Sequence, residues 1–139
     1  MTIVMDAAAL NAFLEAEFPQ VAEDYHIDNV GQEYLTARLT VRTEHLRPGG
    51  TVSGPSMFAL ADLGVYCAIL SRIGPVGLAV TTNASIDFMR KPVAGADLLA
   101  HCRILKLGRV LAVADVLIMS DGMPEPVARC SMTYSIPPK

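Results

Sequence analysis

The stretch from Gly54 to Arg72, GPSMFALADLGVYCAILSR, reads as a helix with no polar face. Met57, Phe58, Leu60, Ala61, Leu63, Val65, Ala68, Ile69 and Leu70 occupy every side of it. A helix that is apolar all round belongs in an interior. The rest of the chain therefore has to enclose it. Its ends are marked: Pro55 suits the first helical position with Ser53 or Gly54 as cap, and Gly74-Pro75 stops it near Arg72. One carboxylate stands in its middle, Asp62, whose helical neighbours Phe58, Ala59, Val65 and Tyr66 are apolar or aromatic.

The flanking sequence supplies strands to do the enclosing. Between Val21 and Arg42 the residues alternate, with Leu35, Ala37, Leu39 and Val41 on one face and Thr36, Arg38, Thr40 and Arg42 on the other. Two strands are expected there, turning at Asn29, Val30 and Gly31. After the helix come four more: LAVTTNASIDFM, ADLLAHCRILKL, VLAVADVLIMS and PVARCSMTYSI. They are separated by Lys91-Pro92 with Gly95, by Gly108, and by Asp121-Gly122. Ahead of everything, Asp6 caps a short amphipathic helix carrying Leu10, Phe13, Leu14 and Phe18, which Pro19 ends. The order predicts an α+β fold, a long antiparallel sheet wrapped around the central helix. At 139 residues the chain is most economically one domain spanning 1–139.

Composition narrows the function classes. A net charge of −3 with no basic run argues against nucleic acid. The apolar runs are interrupted by Asp62, Ser71 and Arg72, short of the roughly 20 residues that span a bilayer, so no membrane partner is expected. The first residues lack the positive region of a signal peptide, which makes the cytoplasm the default location. Cys67, Cys102 and Cys130 are widely spaced in apolar sequence and read as small buried hydrophobes. His26, His45 and His101 lack ligand spacing, so no metal is expected. With 52% hydrophobic residues and 18% charged, the chain has apolar surface to spare, which suggests an oligomer.

A lone carboxylate in such a helix needs a reason, because burying it unpaired costs several kcal/mol. Two readings are open. Asp62 holds a loop amide or an interface, or it is a general base or nucleophile in a cleft. The loop TEHLRPGGTVSG runs straight into the helix start and presents free backbone N–H groups with the positive end of the helix dipole. Gly54 is the best donor there for a developing oxyanion; Pro55 has no N–H.

GTVSGPSMFALAD, then TTNASIDFMRKP, then LKLGR resemble the hotdog-fold acyl-coenzyme A thioesterases of the phenylacetate-pathway type, across most of the chain after Arg47. In that family an Asn, a spacer, Gly, two residues and His-Gly-Gly precede an acidic residue on the central helix. Asp62 matches the acid, Gly54 the first glycine of the pair and Gly50 the earlier one. Ser53 stands where His is usual, Pro55 where the second Gly is usual, and Arg47 where the Asn is usual.

The resemblance implies hydrolysis of a small acyl-CoA thioester, short, medium or aromatic, with Asp62 as base or nucleophile and Gly54 N–H on the thioester carbonyl. It implies a homodimer or homotetramer with the site shared between subunits. It also implies that Thr81 helps to hold the attacking water, with Asn83 a further polar candidate. No cofactor is expected, coenzyme A being part of the substrate. Substrate contacts are expected from Arg47, Ser53, Pro55 and Phe58; Phe58, Met57 and Tyr66 read either as acyl lining or, taken singly, as core. Arg90, Lys91, Lys106 and Arg109 are cations at strand ends that suit coenzyme A phosphates. The competing readings are an acyl-CoA binder without catalysis and, last, a dehydratase, which wants a His that is missing between His45 and His101.

Overall fold

A computed structural model of the chain describes residues 2–76 and 79–138. The elements run α1 (Ala7–Glu17), α2 (Pro19–Ala22), β1 (Tyr25–Val30), β2 (Leu35–Leu39), a 3-10 turn (Thr43–His45), α3 (Gly54–Ile73), β3 (Val80–Phe88), β4 (Leu98–Leu107), β5 (Leu111–Ser120) and β6 (Pro126–Ser135). The six strands form one sheet in the order β1-β2-β4-β5-β6-β3, every pair antiparallel. The sheet wraps α3 as the order of elements requires: this is the hotdog fold.

Alternation explains the wrapping. Leu98, Ala100 and Cys102 on β4, Ala112, Ala114, Val116 and Ile118 on β5, and Cys130, Met132 and Tyr134 on β6 are all buried at every second position. They meet Leu60, Val65, Ile69 and Leu70 of α3, which are fully buried. Each such aliphatic side chain contributes about 1.5–3 kcal/mol by leaving water. At 20 residues α3 is, by length and composition, long and apolar enough to cross a membrane, contrary to the expectation from its interruptions. The sheet rather than lipid covers it here. Ser53 caps α3, its hydroxyl accepting from Ser56 N–H at 3.3 Å, and Gly74 closes it in the left-handed region at φ 90°.

Several boundaries differ from expectation. Pro19 ends α1 but starts α2, because a proline is preorganised for a first helical position. Asn29 and Val30 belong to β1, and the turn falls at Gly31–Tyr34, closed by Gly31 N–H to Tyr34 O at 3.0 Å. A bulge between Ile27 and Asn29 absorbs the difference in register. Val41 lies beyond the end of β2. Leu78, expected at the head of the third strand, lies outside the described residues.

The two sheet edges are treated differently. At β1, the Asn11 side chain of α1 bonds Ile27 as a strand would, Nδ2 to Ile27 O at 3.0 Å and Ile27 N–H to Oδ1 at 2.8 Å. At the opposite edge β3 has no neighbour beyond β6 among the described residues, and most of its residues are exposed, among them Val80 and Phe88. A long exposed edge of this kind is a template for another chain.

Candidate active site

Asp62 sits two turns into α3, part-buried, where β3 and β6 pass beside the helix. The register pairs Thr81 directly with Tyr134, and both side chains reach the same carboxylate oxygen. Thr81 Oγ1 donates to Asp62 Oδ1 at 2.5 Å and the Tyr134 hydroxyl to the same atom at 2.6 Å. The Tyr134 hydroxyl also lies 2.9 Å from the Asp62 carbonyl oxygen. Oδ2 receives no donor among the described residues. Burial, and after it the bond to Asp62, hold the Tyr134 phenol well above its ordinary ionisation range, against a smaller opposing effect of Thr81. Tyr134 is therefore a neutral donor at any physiological pH.

The carboxylate opens on a cavity of about 630 Å³. Phe18, Tyr25, Leu63, Tyr66 and Tyr134 give it apolar and aromatic walls, and Thr81 and Asp62 its polar corner. Among its described lining residues there is no Lys, Arg or His. The aromatic rings pack on one another, Phe18 edge-on to Tyr66 at 6.1 Å and Tyr66 against Tyr134 at 6.4 Å. Burial raises the phenols of Tyr25 and Tyr66 and, with Asp62 adding to it, the Cys130 thiol to about 11. A second cavity of about 540 Å³ lies on the outer face of the sheet. Its charges neutralise one another, Arg129 with Asp87 at 2.8 Å and Arg103 with Asp115 at 3.4 Å. Of these two cavities, the Asp62 cavity holds a carboxylate with no cation beside it among the described residues.

Of the residues expected at the site, the fold brings together Asp62 and Thr81, with Tyr66 on the wall. Asn83 pairs with Thr133 after a bulge and shares its outward face, away from Asp62. Met57 is core, 5% exposed, and Phe58 is at the surface; neither lines the cavity. Gly54 and Pro55 lie at the far end of the helix, since eight residues at about 1.5 Å each separate Gly54 from Asp62 by about 12 Å. There the Phe88 ring lies against Gly54, within 3.1 Å of where a β-carbon would stand. Ser53 spends its hydroxyl on the cap, and Arg47 is exposed in a turn closed by Gly50 N–H to Arg47 O at 3.0 Å. The four cations form two pairs at opposite ends of the sheet. Arg90 and Lys91 follow β3 beside Val127, at the Gly54 end; Lys106 and Arg109 flank the β4–β5 hairpin, at the Thr81 end.

The residues missed from sequence are Tyr134, Tyr25 and Phe18. A tyrosine on the inward phase of β6 was a usable signal, because a buried hydroxyl needs a partner.

One further cluster has ligand chemistry. Asp24, Glu44 and His45 place their ligand atoms within 4.8 Å of one another. Protein groups already occupy two of the three: Asp24 binds Arg42 Nε at 2.8 Å and His45 Nε2 at 3.3 Å, and His45 Nδ1 accepts from Arg42 N–H at 2.9 Å.

The comparisons with known proteins agree with this architecture. The sequence pattern of the Thioesterase superfamily matches residues 49–127. The chain belongs to that superfamily. A presumed esterase of Pseudomonas aeruginosa is 32% identical over 107 residues, 76% of this chain and 78% of its own. The crystal structure of a presumed thioesterase from Silicibacter sp. TM1040 is 59% identical, covers 99% of this chain and 96% of that one, and superposes with a TM-score of 0.93. A mutant of the phenylacetic acid degradation protein PaaI from Thermus thermophilus is 27% identical, with 91% of this chain and 99% of that chain covered and a TM-score of 0.70. Thioester hydrolysis is the chemistry this membership points to.

Proposed function

We propose that the protein hydrolyses small acyl-coenzyme A thioesters, with Asp62 activating water or attacking the carbonyl itself. The observation that carries the reading is the carboxylate at the cavity, anchored through Oδ1 with Oδ2 unengaged among the described residues. A base or nucleophile has to present a free lone pair in a fixed direction. The aromatic walls suit a short, medium or aromatic acyl group, and the chemistry calls on no cofactor beyond the coenzyme A of the substrate.

The oxyanion donor comes from a second copy in this reading. Gly54 N–H has no acceptor among the described residues, yet it stands a helix length away from the cavity of its own chain. Joining two β3 edges brings the Gly54 end of one copy to the Asp62 end of the other. It also covers Val80, Phe88 and Met89, all exposed in the single chain. In such a pair, Arg90 and Lys91 of one copy approach Lys106 and Arg109 of the other, which gives phosphates a mixed set of cations.

Thiol release from a panel of short, medium and aromatic acyl-CoA esters, wild type beside Asp62→Asn, tests this. Asparagine keeps an acceptor oxygen for Thr81 and Tyr134, so the fold should survive while the rate falls by about 10²-fold or more. Equal turnover in the variant refutes the role of Asp62. Binding of esters by both proteins with turnover by neither makes the protein a binder.

A further inference from the structure

A carboxylate on an aspartate turns freely about its last torsion unless something stops it. Here two donors stop it, and both act on the same oxygen. Thr81 arrives from the edge strand β3, whereas Tyr134 arrives from β6, held between β5 and β3, 3% exposed and braced by the ring of Tyr66. Of the two, Tyr134 is the more firmly placed.

We propose that Tyr134 is a positioning residue for Asp62, fixing Oδ1 so that Oδ2 is the oxygen presented to water or to the thioester carbonyl. The inference rests on the hydrolytic reading of Asp62 given above. It assigns Tyr134 no contact with substrate; the tyrosine acts through the carboxylate. Because its phenol stays protonated, it always stabilises the charged form of its acceptor.

The test is Tyr134→Phe, which keeps the ring and removes the hydroxyl. Two readouts are taken: the carbon-13 shift of the Asp62 side-chain carboxyl at fixed pH, assigned with Asp62→Asn, and kcat and KM for thiol release. Losing a hydrogen bond to a charged group corresponds to about a tenfold effect, so the carboxyl signal should move and kcat should fall by about tenfold with KM unchanged. A residue that only packs would leave the signal in place, and an unmoved signal in a folded variant overturns the proposal. Should Tyr134→Phe fail to fold, 3-fluorotyrosine at position 134, a stronger donor, should move the signal from its wild-type position; no movement overturns the proposal equally. If the signal moves but wild type releases thiol from no ester, the positioning of Asp62 stands and the hydrolytic reading falls.

Discussion

Gly64 stands in the middle of α3, where a glycine costs about 1 kcal/mol relative to alanine. The fold accepts that cost because the helix lies almost on the sheet. A β-carbon at Gly64 would overlap Cys102 Sγ of β4 and stand 3.5 Å from the Ala37 β-carbon of β2. Cys102 is 1% exposed, so its sulfur has no open space to retreat into. Gly64→Ala therefore sets overpacking of about 1–3 kcal/mol against a helix gain of about 1 kcal/mol. The net change is a loss of up to about 2 kcal/mol. In a Cys102→Ala background the obstacle is gone, and the same substitution should stabilise by about 1 kcal/mol. Urea unfolding of wild type, both single variants and the double variant under reducing conditions measures the cycle. The expected coupling is about 1–3 kcal/mol, with a change of sign in the effect of Gly64→Ala. An equal effect in both backgrounds would show that the helix is not held against β4 at this point.

The Tyr66 hydroxyl is buried without a partner among the described residues, so Tyr66→Phe should raise stability by about 1 kcal/mol in thermal unfolding; a comparable loss would mean that the hydroxyl has a partner. Burial pushes the Cys67 thiol up to about 12 and Cys130 to about 11, with Cys102 shifted upwards too. Groups raised in the folded state stabilise it below the unfolded thiol range, near 8.5, and that contribution is lost as pH rises toward the folded values. Urea midpoints should accordingly fall between pH 8 and 11, less steeply in Cys67→Ala; a flat profile refutes the assignment.

How far the sequence spoke for the fold depended on periodicity. α3 was legible because its all-round apolarity leaves one physical solution, an interior position, and its caps Ser53 and Gly74 are local signals. β4, β5 and β6 were legible because alternation and turn residues coincide. The errors fell where local chemistry permits two outcomes. Proline stops one helix and starts another equally well, as at Pro19. A β-bulge, as at Asp28, moves a turn without leaving a mark in composition.

The site divides along the same line. Asp62 was visible as a charge out of place in its helix, but its partners come from 19 and 72 residues further on, and strand pairing alone brings them there. Even so, elimination would have reached Tyr134. Cys130, Met132 and Tyr134 share the inward phase of β6, and a buried tyrosine hydroxyl usually finds an acceptor, Tyr66 being an exception among the described residues. A free carboxylate oxygen in that helix is a stronger acceptor than any backbone carbonyl already engaged by its own turn. The same arithmetic bears on Gly54. Two residues eight apart on one straight helix keep about 12 Å between them whatever the rest of the chain does. An oxyanion held by Gly54 N–H and a carbonyl attacked from Asp62 Oδ2 must lie within about 3 Å of both groups. The separation exceeds that reach for direct attack by the carboxylate, so if Gly54 and Asp62 serve the same thioester by that route, they do so from different copies.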